Sequence, residues 1–200
     1  MNKVAQSIII DREYGSGGRE VARILSEKLG MEYYDGNLLI QAAQQSHIDL
    51  GTMKDYDEKR IGSILYNIAM AAGSIQNASQ MEVPHKLYEA HTRLMRQLVA
   101  EKPCIFLGRC ADEILRGVTP MISVFIYSDN REQKAKRIAK LDDITMEKAE
   151  YSLRKKDMQR ANYYNFFTHR QWGDKGNYAL CINTGKLSYE EAAEAIIALV

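Results

Sequence analysis

Residues 8–20 read Ile8-Ile9-Ile10-Asp11-Arg12-Glu13-Tyr14-Gly15-Ser16-Gly17-Gly18-Arg19-Glu20. A short apolar run ends at an acid. Glycines then cluster at Gly15, Gly17 and Gly18, and Val21, Ala22, Leu25 and Leu29 follow at helical spacing. This order predicts a strand, a glycine-rich turn and the start of a helix. Glycine has no Cβ, so its backbone comes close to an anion and turns N–H groups toward it. The first turn of the helix adds partial positive charge at the same place. The stretch therefore predicts a phosphate-binding turn. An ordinary tight strand-to-helix connection is the plainer alternative, and three glycines within residues 15–18 favour the phosphate site.

The P-loop motif reads G-x-x-x-x-G-K-[ST]. Set against it, this chain has Arg12 at the first glycine and Gly18 at the lysine, and neither Arg19 nor Glu20 restores the hydroxyl. The cation that reaches the terminal phosphates is missing, as is the group that holds magnesium. Arg19 or Arg12 is expected to supply the positive charge. Glu20 is expected to stabilise the first turn of the helix.

Beyond this turn the chain is ordinary. At 200 residues it is long enough for one domain with a full core. With 26% charged and 46% hydrophobic residues it reads as globular and soluble. A formal net charge of +1 gives no bulk attraction to nucleic acid or to a membrane surface. No apolar stretch is long enough to span a bilayer, and Met1-Asn2-Lys3 leads into the first strand without a signal peptide. Cys104, Cys110 and Cys181 form no C-x-x-C, which suits a reducing cytoplasm. His47, His85, His91 and His169 show no metal spacing, so no metal site is expected from protein ligands alone.

Outward from the turn, strands are predicted at 4–10, 31–34, 104–107, 121–127 and 179–182. Helices are predicted at 18–29, closed by Gly30, then from Asn37, and throughout 53–101 with a break near 71–79. Further helices run from a cap at Asp129 to about 141, over about 145–164, and from a cap at Ser188. Continuous apolar strands alternating with helices predict an α/β fold, a five-stranded parallel sheet with helices on both faces. Ligands in such sheets lie at the carboxyl ends of the strands. That rule brings together Asp11 and Arg12, Asp35, Gly108 and Arg109, Ser128 and Asp129, and Asn183 and Thr184.

Arg109 directly follows a buried strand, where a guanidinium forks onto a phosphate or carboxylate; a surface arginine near Asp112 is the plainer reading. Asp35 is placed to orient a sugar hydroxyl or a phosphoryl acceptor, or simply to cap the next helix. Asp157 and Arg160, at i and i+3, can face one ligand, although charge runs such as 154–160 and 131–137 are usually solvated helix faces. The aromatic run 163–167 with Trp172 is read as packed side chains rather than as a base-stacking platform. Cys110 is read as a buried, inert thiol.

The chain resembles the cytidylate kinase-like family, a branch of the P-loop nucleoside monophosphate kinases. The resemblance rests on Ile10-Asp11 with the variant loop Arg12–Glu20, on Tyr34-Asp35, on Gly108-Arg109 and on Asp157 with Arg160. Lys136 and Arg137 and the turn Asn183-Thr184 extend it. It covers most of the chain and is weakest over about 45–100. It implies a single P-loop kinase-like domain over 1–200, with a helical acceptor-side insertion at about 45–101 and a lid-like helical region at about 129–170. It implies ATP resting on Arg12, Tyr14, Gly15, Ser16, Gly17, Gly18, Arg19 and Glu20, with Mg2+ held mainly by phosphates and water. Asp35, Arg109, Asp157 and Arg160 would bind the acceptor, and Arg19, Arg137 and Asp35 would serve catalysis. Three positions depart from the family pattern. Gly18 stands for the lysine, Gly36 for a serine and Cys110 for the aspartate of Gly-Arg-Asp.

The expected activity is ATP-dependent phosphoryl transfer to a nucleoside monophosphate, CMP or dCMP first. A nucleotide-binding sensor or scaffold without turnover, and a kinase for another small acceptor, are the alternatives. The expected partner is a small nucleotide, not nucleic acid or membrane. The insertion, with Tyr56, Tyr66 and Tyr88, would form either an acceptor lobe or a homodimer surface.

Overall fold

A computed structural model describes residues 6–36 and 82–200. The helices expected within 37–81, with His47, Tyr56 and Tyr66, lie outside the described residues. The order is β1 (Ser7–Arg12), α1 (Gly18–Leu29), β2 (Tyr33–Tyr34), α2 (Glu82–Glu101), β3 (Ile105–Leu107), α3 (Ala111–Ile114), β4 (Met121–Tyr127), α4 (Arg131–Asp142), α5 (Met146–Thr168), β5 (Leu180–Asn183) and α6 (Tyr189–Ile197). All strand pairs are parallel, in the order β2-β3-β1-β4-β5. β1 is thus central, and the chain crosses to opposite sides of it on leaving for β3 and β4. The strand ends diverge there and open a crevice.

Side-chain alternation along β1 explains the layers. Ile8 and Ile10 pack with Val21, Ala22 and Leu25 of α1 and with Ala192, Ala193 and Ile196 of α6. Ile9 faces the other way, onto Ala90, Leu94 and Met95 of α2 and onto Phe106, Ile114 and Leu115. Each buried isoleucine contributes roughly 1.5–3 kcal/mol, so both faces pin β1 and the loop after it starts from a fixed point. A separate cluster of Ala135, Ile138, Ala149 and Leu153 joins α4 to α5, and Tyr14 of the loop packs against it.

Several boundaries differ from the expected ones. β1 continues through Asp11 and Arg12 because β4 extends the ladder opposite them, at Phe125 and Ile126. Asn130, not Asp129, caps α4: its side chain accepts from the N–H of Gln133, while Asp129 pairs with Lys186 at 3.5 Å. α5 runs a turn beyond residue 164, to Thr168, because Tyr163, Tyr164 and Thr168 are buried and the Thr168 hydroxyl donates to the Tyr164 carbonyl at 2.7 Å. α1 ends at Gly30, φ 65°, and Ser188 forms a capping box with Glu191 at the start of α6, both as expected.

Candidate active site

The loop after β1 is shaped by glycine. Gly15 and Gly17 have φ of 80° and 86°, the left-handed region where a Cβ is strained. The Ser16 hydroxyl and N–H both point back to the carbonyl of Glu13, at 2.8 and 3.4 Å, and Thr184 donates to the Ser16 carbonyl at 2.7 Å. Tyr14 donates its N–H to Asp157 Oδ1 at 2.6 Å and its hydroxyl to Asp142 at 2.8 Å. The N–H groups of Gly15, Gly17, Gly18 and Arg19 donate to no protein acceptor among the described residues. A loop held from behind, with N–H groups left free at a helix start, is a cradle for an anion.

Arginines gather beside it. Arg12 leaves the end of β1, runs across Gly18 and reaches the Gly108 turn at the end of β3. A Cβ at Gly18 would lie 2.8 Å from Arg12 Cβ and 2.9 Å from its Cγ, and one at Gly108 would collide with Arg12 Nη1. Arg160 of α5 donates to the Arg12 carbonyl at 2.7 Å and lies 5.5 Å from the centre of the Tyr14 ring. Burial, with Arg160 next in importance and Arg109 and Arg19 adding to it, disfavours the charge on Arg12, and Asp11 only partly offsets this. An arriving anion would reverse that penalty. The guanidinium groups of Arg12 and Arg109 make no ion pair and no hydrogen bond among the described residues. Arg109 follows Gly108 with φ 61°, and Cys110 continues at 58°. Two successive non-glycine residues in this region are strained, as functional turns often are.

The acids near the loop are already engaged. Glu13 accepts from Lys134 of α4 at 2.6 Å and from the N–H of Ser128 at 3.1 Å. Glu20 accepts from Arg137 at 3.2 Å, and Arg137 also donates to the Tyr189 hydroxyl at 2.6 Å. Arg19 pairs with Asp35 at 2.9 Å, and its side chain is 61% exposed, against 26% for Arg160. Lys136 turns away to Glu132 on its own helix. Burial pushes the Asp157 carboxyl up to about 6, against the pull of the Tyr14 N–H and of Arg160, 4.0 Å away. No group of three or more His, Cys, Asp or Glu that could hold a metal ion occurs among the described residues. With its nearby acids paired to cations, the site suits a magnesium ion that arrives on nucleotide phosphates and keeps its water.

On the β3 side, Asp112 is buried and accepts from the Tyr164 hydroxyl at 2.8 Å and from Arg170 at 2.5 Å. Arg109 makes no ion pair with Asp112, whose Oδ2 is taken by Tyr164 and Arg170. Burial, with Asp11 and Asp112 nearby, pushes the Cys110 thiol well up, so it is not a thiolate. Tyr163 and Tyr164 are buried, Phe167 stacks on Tyr88 at 4.3 Å and Trp172 meets Phe125 edge-on. The aromatic run is thus packed side chain against side chain. His91 of α2 is fully buried with neither ring nitrogen hydrogen-bonded, and burial pushes it down to about 3.

The structure brings Arg12, Arg109, Asp157 and Arg160 together and sets Arg19 with Asp35 at the outer edge. Sequence reasoning missed Glu13, Lys134 and Tyr189. Their partners lie up to 121 positions away, as for Lys134 and Glu13, and no local pattern marks such pairs.

A parallel 2-3-1-4-5 sheet with a glycine-rich loop between its central strand and the following helix defines a P-loop protein of the kinase type. The family model described as the cytidylate kinase-like family matches residues 7–186, and the chain belongs to that family. No curated protein matches it. Among solved structures it is similar to an uncharacterised protein from Eubacterium ventriosum, with 26% identity over 97% of each chain and a TM-score of 0.74. It also shares its fold with shikimate kinase from Acinetobacter baumannii, at 15% identity, 98% and 93% coverage and a TM-score of 0.52. A gluconokinase from Sinorhizobium meliloti follows at 15% identity, 97% and 94% coverage and a TM-score of 0.50.

Proposed function

We propose that the protein transfers the γ-phosphoryl group of ATP to a small phosphorylated acceptor, with CMP and dCMP the first candidates. The observation that carries this reading is the meeting of Arg12, Arg109 and Arg160 beside four loop N–H groups with no acceptor among the described residues, at the strand ends where the sheet's connections diverge. Family membership supports it. ATP phosphates rest on the loop from Tyr14 to Arg19. Arg109 and Arg160 grip the acceptor phosphate, and Asp35 orients the acceptor at the edge. Arg137 leaves Glu20 for the transferring group. The bond from phosphorus to the ADP oxygen breaks as one from an acceptor phosphate oxygen forms, and a dianionic phosphate needs no base. Magnesium, bound through the ATP phosphates, offsets their charge. The protein's part is in-line positioning, charge neutralisation and exclusion of water.

Two observations favour other readings. Lys134 and Arg137 are bound to loop acids, which suits a sensor that binds nucleotide without turnover. Cys110 and Gly36 replace polar residues on the acceptor side, which suits another small acceptor. Magnesium-dependent ATP turnover against all ribo- and deoxyribonucleoside monophosphates, with Arg19→Ala as control, separates them. Turnover with cytidylates supports the first reading. ATP binding without turnover, or turnover only with acceptors outside the panel, overturns it.

A further inference from the structure

The missing P-loop lysine leaves a question of charge that the loop geometry answers. Two arginines compete for the role. Arg19 stands next to the lysine position, yet its side chain points to the edge, is 61% exposed and is paired with Asp35. Arg12 stands at the other end of the loop, where the motif has its first glycine. Its stem crosses directly over Gly18, the lysine position, and its guanidinium enters the gap between the loop and the Gly108-Arg109 turn.

That path is steric as well as electrostatic. Any side chain at 18 would meet Arg12 Cβ and Cγ below 3 Å, and any side chain at 108 would meet its Nη1. Arg12 on this path and a lysine at 18 therefore exclude each other, because the obstacle at 18 is the fixed stem of the arginine, while at 108 it is only the movable tip. The backbone of Arg12 is clamped at both ends. Its N–H donates to Asp11 Oδ1 at 3.0 Å and its carbonyl accepts from Arg160 at 2.7 Å. Asp11 is itself buried and held by the Tyr178 hydroxyl at 3.3 Å. This arginine is preorganised between the nucleotide cradle and the acceptor-side Arg109, and its guanidinium makes no ion pair with an acid among the described residues.

We infer that Arg12 is the catalytic cation of this site and that Arg12 with Gly18 is an exchanged form of the usual glycine and lysine, the charge having moved from the helix start to the strand end. The inference rests on the phosphoryl-transfer reading and specifies which residue stabilises the transferring group. A planar guanidinium offers two parallel donors to phosphate oxygens where a lysine offers a point charge.

The test is a set of exchange variants on the full chain: Arg12→Gly, Gly18→Lys, the double variant Arg12→Gly/Gly18→Lys, and Arg12→Lys. Turnover is measured with the acceptor found for the wild type, ATP affinity by calorimetry and folding by circular dichroism. Arg12→Gly is expected to fold and to lose kcat at least a thousandfold, more than Arg19→Ala does. Gly18→Lys alone, with Arg12 in the way, is expected to be impaired too. The double variant is expected to regain at least tenfold over Arg12→Gly. A folded Arg12→Gly within tenfold of wild type, or a double variant that regains nothing, overturns the inference. If Arg12→Gly does not fold, Arg12→Gln takes its place: a folded Arg12→Gln within tenfold of wild type in kcat overturns the inference, and a larger loss that Arg12→Lys partly restores upholds it. If the wild type turns over no acceptor, it is the phosphoryl-transfer reading that fails. The cation assignment is then read from ATP affinity alone, where Arg12→Gly must weaken binding more than Arg19→Ala.

Discussion

Arg109 carries a strained backbone, at φ 61°, and a guanidinium with no protein partner among the described residues. Strain of this kind costs on the order of 1–3 kcal/mol, and a site that grips an anion gains from the fixed aim. Arg109→Gly removes strain and grip together. It is expected to hold or raise the unfolding free energy by about 1 kcal/mol in urea titration. Arg109→Ala is expected to abolish acceptor binding by calorimetry, and unchanged affinity would remove Arg109 from the site. Asp157 makes a pH prediction. Its folded pKa, about 6, lies above the ordinary 3.8, so the folded state holds this proton more tightly than the unfolded chain does. Its contribution is therefore greatest below about pH 4 and is lost as pH rises to 6, by up to about 3 kcal/mol. Asp157→Asn keeps an acceptor for the Tyr14 N–H and is expected to flatten that part of the stability–pH curve. A curve parallel to wild type between pH 4 and 6 would refute the assignment.

At the scale of elements, the loop joins three helices that share no local sequence with it. Gly17 sits under the ring of Tyr189, the first residue of α6, and Tyr14 docks between α4 and α5. Lys134 and Arg137 tie α4 to Glu13 and Glu20. Gly17→Ala should thus pay twice, once for its φ of 86° and once for the Tyr189 ring. A loss of about 2 kcal/mol or more is expected by chemical denaturation. Adding Tyr189→Ala should return the ring's share and leave the backbone's share, so a double-mutant cycle without coupling would contradict this contact. The glycines were legible as turn formers. That Gly17 also clears an aromatic ring, and Gly18 an arginine, was not, because Tyr189 arrives from a distant helix and the path of the Arg12 side chain is set only by the fold.

Across the whole molecule, Arg12 and Arg160 are buried beside Arg109 in a crevice between α/β layers, and Asp11 and Asp157 only partly offset the cost of burying their charge. A nucleotide that binds there should stabilise the protein through linkage. At a hundred times its Kd a ligand adds about 2.7 kcal/mol, which moves Tm by roughly 5–10 °C in a chain of this size. Thermal unfolding with MgATP, and separately with CMP, checks this, and no shift with either at millimolar concentration would count against the site. No described helix is long and apolar enough to cross a membrane. The sheet, its parallel sense and its covered faces were readable from apolar runs and their alternation with helices, since period-two and period-3.6 patterns are local properties of the chain. So were the glycine-rich turn and the strand-end position of Arg109. The path of Arg12 between Gly18 and Gly108, the pairing of Lys134 with Glu13 and the loss of Asp112 to Tyr164 and Arg170 came from folding alone. Each depends on which side chains meet once the strands order and the helices dock, not on the sequence pattern around any one residue.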